Sequence, residues 1–161
     1  MKKELMSFAY ELYDSAEELN EEDASLLAAA RKITADAYAP YSHFHVGATA
    51  RLANGTIVNG TNQENAAYPV GICAERVLMG TAAVLFPNMP IQTMAVSYRS
   101  AEGDSSKPAS PCGMCRQYLK EFEDRTKSPV RLILSGQSGK VYIIASASQL
   151  LPFSFGGADL E

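Results

Sequence analysis

The sequence predicts an α/β fold in which helices cover a mixed sheet of five strands. Two apolar segments, at 91–98 and 130–134, are separated by a helical stretch, which favours parallel pairing through a right-handed crossover. Only six polar residues join the segment 130–134 to the next one, 141–145, and a connection that short allows only an antiparallel hairpin. A first hairpin is predicted at about 45–61, with Asn54-Gly55 as its two-residue turn.

Two helices are expected before the first hairpin. Apolar residues recur at three- and four-residue steps between Leu5 and Leu19, which is typical of an amphipathic helix. The sequence therefore predicts an extra N-terminal helix within residues 1–20, followed by a single domain at 21–161. A second helix is expected from about Glu22 to Tyr38, with acidic residues in its first turn and Pro40 beyond its end.

Two further helices are expected to begin at cysteines. The first starts at Cys73 and continues through an aliphatic, alanine-rich stretch to Phe86, where Pro87 stops it. The other starts at Cys112 and ends near Asp124, after a polar loop at 100–110. In an open α/β sheet such helix starts lie at strand ends, where ligand crevices form.

Composition favours a small globular enzyme acting on a small molecule. The chain has 161 residues, 47% of them hydrophobic, which suits one compact core. The net charge is −4 and the 14 Lys and Arg residues are scattered, so no nucleic-acid partner is expected. The sequence offers no apolar stretch for a membrane helix and no apolar signal core near Met1, so we expect a cytoplasmic protein with no membrane partner.

All three cysteines of the chain lie in two short blocks, Cys73-Ala74-Glu75-Arg76 and Pro111-Cys112-Gly113-Met114-Cys115-Arg116. Three thiolates can hold Zn²⁺ and leave one coordination position open, which distinguishes a catalytic zinc site from a structural one. Cys112 and Cys115 are three residues apart, so on a helix they face the same side. Glu75 is two residues from Cys73 and is predicted to act as a base rather than a ligand.

Three other interpretations of the cysteines are possible from the residues alone. Cys112 and Cys115 have the spacing of a redox pair, although that leaves Cys73-Ala74-Glu75 unexplained. His43 or His45 could close a structural zinc site as a fourth ligand. A disulfide is the third alternative, and the odd number of cysteines disfavours it.

Two arginines follow the cysteine blocks closely. Three thiolates on zinc leave a formal negative charge, which weakens the acidifying effect of the metal. A guanidinium that donates a hydrogen bond to a sulfur would offset that charge, and Arg76 and Arg116 are the candidates. Solvated helix arginines are the alternative for both.

The chain resembles the small, three-cysteine, homotetrameric cytidine deaminases of the cytidine/deoxycytidylate deaminase superfamily over about residues 22–158. The resemblance rests on Tyr41-Ser42-His43-Phe44-His45-Val46-Gly47-Ala48, Gly60-Thr61-Asn62-Gln63-Glu64-Asn65-Ala66-Ala67-Tyr68, the two cysteine blocks and Leu150-Leu151-Pro152. It implies a three-layer α/β/α fold and one Zn²⁺ per subunit. The implied activity is hydrolysis of cytidine and 2′-deoxycytidine to uridine and deoxyuridine, with release of ammonia, in pyrimidine salvage.

The resemblance also implies roles for individual residues. The three cysteines hold zinc and Glu75 shuttles protons. Asn62 and Glu64 bind the ribose hydroxyls, Phe44 packs against the pyrimidine, and the backbone of Ala74 lies near the base. From the residues alone, Asn62 and Glu64 could equally belong to a polar turn, and Phe44 could be an inward-facing strand residue.

A phenylalanine after the Leu-Leu-Pro turn reaches into a neighbouring subunit in the similar enzymes. Phe155 is the aligned residue here and Phe153 is the alternative; a buried anchor within the same subunit is equally consistent with the sequence. The stretch 77–83 differs from the common pattern and is similar to blasticidin-S deaminase, whereas Asn62 and Glu64 favour a nucleoside. A zinc-holding binding module without turnover is the alternative from another functional class.

Overall fold

The structure, a computed structural model, describes residues 1–160. Nine regular elements follow one another along the chain: β1 (Glu11–Tyr13), α1 (Glu21–Ile33), β2 (Phe44–Leu52), β3 (Ile57–Thr61), α2 (Ala74–Leu85), β4 (Ile91–Ser100), α3 (Gly113–Thr126), β5 (Arg131–Ser135) and β6 (Val141–Ile144). Short 3₁₀ turns lie between them, including one at Ala147–Leu150.

The strands form one mixed sheet in the order β1-β6-β5-β4-β2-β3. β4 and β5 pair in parallel, and β2–β3 and β5–β6 are antiparallel hairpins, so the predicted parallel pairing and both hairpins are confirmed. The turn of the first hairpin contains Gly55 at φ 83°, a conformation that glycine adopts without strain. The sheet has six strands where five were predicted.

The sixth strand comes from the segment that was predicted to be a helix. Residues 11–13 form β1 and pair antiparallel with β6, and residues 1–10 have no regular secondary structure, so the predicted N-terminal helix is wrong. Leu5 is 91% exposed, whereas Tyr13, Ala16 and Leu19 pack on the core beneath α1. These three residues reach the core from β1 and from the short 3₁₀ turn Ala16–Glu18 that follows it, so tertiary pairing overrides the helical periodicity.

Helices cover both faces of the sheet. α1 packs on one face, where Leu26, Leu27 and Ala30 meet apolar residues of β4, β5 and β6. α2 and α3 pack on the other face, over the larger core that includes Leu78 and Leu119. The predicted three-layer α/β/α arrangement is therefore confirmed.

Beyond the N-terminal segment, the predicted bounds of the helices and strands agree closely with the structure, with one exception. The second predicted helix ends at Ile33 rather than Tyr38, because a 3₁₀ turn at Thr34–Asp36 follows and Tyr38 makes a β-bridge to Gln63. The assignment of residues 21–161 to a single domain stays a prediction, and its last residue, Glu161, lies outside the described residues.

Candidate metal centre and adjoining cavity

The start of α2 is pressed against β3. Cys73 is the N-cap of the helix, in extended backbone conformation, and Ala74 and Glu75 form the first turn. This close approach depends on Gly60, because a Cβ there would lie 2.4 Å from the carbonyl oxygen of Ala74 and 2.6 Å from the amide nitrogen of Leu78. The Glu75 side chain is consequently enclosed, with the residue only 5% exposed.

The start of α3 places the other two cysteines. Cys112 is the N-cap and remains exposed, and Cys115 lies one turn later, fully buried. As N-caps, Cys73 and Cys112 both lie beside unpaired backbone N–H groups and the positive end of a helix dipole.

The three sulfurs meet between these helix starts. The Sγ atoms of Cys73 and Cys112 are 3.7 Å apart, those of Cys112 and Cys115 are 3.6 Å apart, and all three lie within 4.8 Å of one another. Sulfurs bound about 2.3 Å from a tetrahedral zinc are about 3.8 Å apart, so the donor set fits Zn²⁺. The cluster is therefore compatible with one zinc ion.

The alternative interpretations of the cysteines do not agree with this geometry. The cysteines are free thiols rather than a disulfide, and a two-sulfur redox pair does not account for Cys73 beside Cys112. Within residues 1–160, neither His43 nor His45 joins the sulfur cluster as a fourth ligand.

The pKa values of the titratable groups at the centre shift in opposite directions. A hydrogen bond with the Cys115 thiol lowers the pKa of Cys73 to about 6, and hydrogen bonding with Cys112 and the charge of Arg76 act in the same direction. The pKa of Cys115 is raised, first by that hydrogen bond with Cys73 and then by its burial. Burial raises the pKa of Glu75, and the charge of Cys73 adds to the effect. A raised pKa makes the Glu75 carboxylate a better proton acceptor than an ordinary glutamate, which suits a group that takes up and then releases a proton.

A cavity of about 360 Å³ opens directly over the centre. Its size falls within the range of about 300–1,000 Å³ that is usual for small-molecule sites. Seven predicted site residues lie in its wall: Phe44, Asn62, Glu64, Cys73, Ala74, Glu75 and Cys112. The structure thus brings the predicted substrate-binding residues, Glu75 and the cysteines to one place.

Phe44 forms an aromatic wall together with a residue that sequence reasoning missed. Its ring stacks on Tyr98, with centroids 4.7 Å apart and planes 16° from parallel. Val96 and Tyr98 line the cavity from β4. Their alternation along the predicted strand 91–98 was the signal that could have identified them, because residues two apart on a strand share a face.

Asn62 and Glu64 are held by backbone groups. The amide oxygen of Asn62 accepts from the N–H of Val46 at 2.7 Å, and its nitrogen donates to the carbonyl of Phe44 at 2.9 Å. Glu64 accepts from the N–H groups of Tyr41 and Ser42. Hydrogen bonding from Ser42 and these amides holds the pKa of Glu64 below its ordinary value, so the carboxylate is ionised at neutral pH.

The arginine hypothesis requires a correction. Arg116 donates to the carbonyls of Pro111 and Leu150, not to a sulfur. Within residues 1–160, Arg76 also donates no hydrogen bond to a cysteine sulfur, although its charge helps to lower the pKa of Cys73. A carbonyl oxygen is a stronger hydrogen-bond acceptor than a cysteine sulfur, which accounts for the partners of Arg116.

The two C-terminal phenylalanines are both on the surface. Phe155 is 58% exposed and Phe153 is 93% exposed, so neither is a buried anchor within its own subunit. The carbonyl of Phe155 accepts a hydrogen bond from the Gln117 side chain at 2.9 Å. Phe155 and Arg76 border a separate surface cavity next to α3.

Comparison with known proteins places this centre in context. The family profile described as the cytidine and deoxycytidylate deaminase zinc-binding region matches residues 20–128. A cytidine deaminase of Sporosarcina psychrophila is 33% identical over 84% of this chain and 93% of its own length. A cytidine deaminase of Halalkalibacterium halodurans is also 33% identical, over 78% of this chain and 87% of its own length.

A solved structure agrees with the sequence matches. The crystal structure of cytidine deaminase from Burkholderia pseudomallei superposes with a TM-score of 0.71 at 33% identity and covers 85% of this chain and all of that one. Among residues 1–160 there is no helix with the length and apolarity needed to cross a bilayer.

Proposed function

The chain belongs to the cytidine and deoxycytidylate deaminase family, and from this premise we propose that it hydrolyses cytidine and 2′-deoxycytidine. The products are uridine or deoxyuridine and ammonia, and the reaction serves pyrimidine salvage. One observation carries the proposal: the enclosed carboxyl group of Glu75 lies beside three sulfurs at a cavity of nucleoside size.

The chemistry divides between the metal and the side chains. Zinc, when held by Cys73, Cys112 and Cys115, supplies the Lewis acidity that activates a water molecule. As the oxygen of that water bonds to C4 of the cytosine ring, Glu75 takes one proton from the water and passes it to N3. Glu75 then takes the remaining proton from the new C4 hydroxyl and delivers it to the amino group as the C4–N bond breaks, so water and cytidine become uridine and ammonia.

The cavity walls position the substrate. Phe44, backed by Tyr98, offers a flat apolar surface to the pyrimidine, and Ala74 offers backbone groups near the base. Asn62 and Glu64 bind the ribose. The Asn62 amide retains a second N–H, and the Glu64 carboxylate retains a second oxygen, for hydrogen bonds with the sugar hydroxyls. Because Asn62 and Glu64 are fixed by backbone hydrogen bonds, they are pre-organised for that contact.

A substrate panel tests the proposal. Purified zinc-loaded protein is given cytidine, deoxycytidine, CMP, cytosine or blasticidin S, and ammonia release is measured for each. We expect turnover of both nucleosides and little with cytosine, which lacks the sugar that Asn62 and Glu64 would bind. Turnover of blasticidin S alone would overturn the nucleoside assignment, and zinc without any turnover would favour the binding module.

We further propose a homotetramer in the cytoplasm. Phe155 supports the tetramer because it is exposed beside an open surface cavity at α3. A residue that enters a neighbouring subunit must be exposed when its own chain is considered alone. Light scattering at micromolar concentration tests it, with Phe155→Ala compared with Phe153→Ala. We expect the tetramer to weaken in the first variant only, and a monomeric wild type would contradict the proposal.

A further inference from the structure

The side chain of Arg116 joins two segments that are distant in the chain. Its Nε donates to the carbonyl oxygen of Pro111 at 2.8 Å, and its Nη1 donates to that of Leu150 at 3.0 Å. Pro111 directly precedes Cys112, and Leu150 ends the 3₁₀ turn after β6. One planar group therefore ties the backbone before a zinc-holding cysteine to the 3₁₀ turn.

This 3₁₀ turn is itself held firmly by the other end of α3. The buried carboxylate of Glu123 accepts from the backbone N–H groups of Ala147 at 2.9 Å and Ser148 at 3.1 Å, and from the hydroxyl of Ser146 at 3.0 Å. It also accepts from the N–H of Val130 at 2.7 Å. The 3₁₀ turn that Arg116 contacts is thus fixed by hydrogen bonds that its residues donate to a single buried carboxylate.

The two cysteines of α3 differ in what holds them in place. Cys115 lies inside the helix and is fully buried, so helical hydrogen bonds and packing fix its sulfur. Cys112 is an exposed N-cap in extended conformation: its carbonyl accepts the first helical hydrogen bond, from the N–H of Arg116 at 3.0 Å, but its side chain makes no capping hydrogen bond. The helix therefore holds Cys112 from one side only, and the position of its sulfur also depends on the backbone that precedes it, which the Arg116 side chain holds.

We propose that Arg116 is a positioning residue for the metal, which keeps the Cys112 sulfur at tetrahedral spacing from Cys73 and Cys115 and thereby slows zinc release. The role depends on geometry more than on charge, because the guanidinium presents two N–H donors to two carbonyls at once. A lysine at this position keeps the charge but satisfies one carbonyl at a time. The inference rests on the zinc site of the proposed enzyme and not on the identity of its substrate.

The rate of zinc transfer to a coloured chelator tests the inference. The zinc-loaded full chain is compared with Arg116→Gln, Arg116→Lys and a control, Arg125→Gln, whose side chain lies on the same helix over the ring of Phe122. We expect about 10-fold faster release from Arg116→Gln, in line with residues that orient metal ligands, and an intermediate rate from Arg116→Lys. The control is expected to release zinc at the wild-type rate, and thermal unfolding of each variant confirms that it is folded.

Three results would overturn the inference. Wild-type release from a folded Arg116→Gln protein would mean that the two hydrogen bonds do not hold the metal. Wild-type release from Arg116→Lys would mean that charge alone suffices, and this variant decides the question if Arg116→Gln does not fold. Equal acceleration in Arg125→Gln would point to general weakening of α3. The zinc-release experiment contains no substrate. The inference can therefore fail while the proposed deamination stands, and the proposed deamination can fail while the inference stands.

Discussion

The two helix starts that supply the metal ligands are built in different ways. The start of α2 is enclosed: Ala74 and Glu75 are buried, and β3 approaches closely at Gly60. The start of α3 is open: Cys112, Gly113 and Met114 are exposed, and the backbone is secured by the hydrogen bonds of Arg116. A ligand can thus be fixed by backbone packing or by a side chain that reaches across the fold.

The difference separates two tasks within one centre. The enclosed side buries most of the Glu75 side chain, and this burial raises its pKa and suits it to proton transfer. The open side has no carboxyl group of this kind, and the predicted role of its two cysteines is only to bind the metal. We therefore expect changes at α2 to affect chemistry and folding strongly and changes at α3 to affect mainly the hold on the metal.

The largest expected effect comes from Glu75→Gln. An amide cannot take up and return a proton, so we expect turnover of cytidine to fall by about 10³-fold. Zinc content should stay at one ion per chain, because Glu75 is not one of the three sulfur ligands. Loss of the cytidine absorbance band measures turnover and metal analysis measures zinc. Glu121→Gln, the same change at an exposed position of α3, serves as the control, and undiminished turnover in Glu75→Gln would exclude the proton shuttle.

Gly60→Ala tests the packing at α2. The added Cβ would lie 2.4 Å and 2.6 Å from backbone atoms of Ala74 and Leu78, which cannot rotate away. We expect the free energy of unfolding to fall by about 3 kcal/mol and turnover to fall with it, because the first turn of α2 must shift. Urea denaturation provides the measurement. Gly80→Ala, within α2 but with open space around its Cβ position, should be neutral or slightly stabilising.

Asp23→Asn weakens the fold on the far face of the sheet from both helix starts. Asp23 of α1 is buried and accepts two hydrogen bonds from Arg131, at 2.7 and 2.8 Å. Burial alone raises the pKa of Asp23, but hydrogen bonds from Arg131 and Asn20 outweigh it, so the pKa lies below its ordinary value. We expect the free energy of unfolding at pH 7 to fall by about 2 kcal/mol, with zinc binding intact.

The pH dependence of that loss follows from the lowered pKa. A depressed carboxyl pKa stabilises the fold above the ordinary Asp pKa of about 4, and the contribution disappears as pH falls through the folded value. The difference between wild type and Asp23→Asn should therefore be constant near neutral pH and shrink below about pH 4. A difference that grows on acidification would contradict the assignment. Denaturant titrations across this range decide it.

Gly113→Ala, at the open start of α3, is expected to have the smallest effect. Within residues 1–160, and apart from the flanking residues and the nearby backbone of α3, no atom lies within 4 Å of the position that a Cβ would occupy, so the first turn of α3 has room for a side chain. We expect a change in unfolding free energy within about 0.5 kcal/mol and unchanged zinc content. A loss as large as that in Gly60→Ala would show that the two helix starts are equally constrained.

Sequence patterns predicted the parts of the fold that depend on local chemistry. The helix starts at Cys73 and Cys112 and the hairpin turn at Gly55 were all identified, because capping and turn conformations follow from residue type. The three-sulfur cluster was identified from spacing, and the resemblance located Phe44 and Asn62, which the structure places at one cavity.

The remaining features depend on tertiary partners that local patterns do not describe. The segment from Leu5 to Leu19 has helical periodicity, yet an available sheet edge converts part of it into β1. Arg116 was a candidate for a hydrogen bond to a sulfur, with a solvated arginine as the alternative, and its contact with the carbonyl of Leu150 could not be inferred because that residue is 34 positions away. Tyr98 was part of a correctly predicted strand, but its contact with Phe44 depends on the register of β2 against β4.

The pairing of β1 with β6 has a consequence for how the protein folds as it is made. Residues 11–13 leave the ribosome early, but their partners at 141–143 emerge only after every other strand has been synthesised. Until then the N-terminal segment is an unpaired stretch with exposed apolar side chains, which chaperones recognise in nascent chains. Because the loop between β1 and β6 is long, its closure has a high entropic cost, and we expect β1 to join the sheet after the other strands have paired.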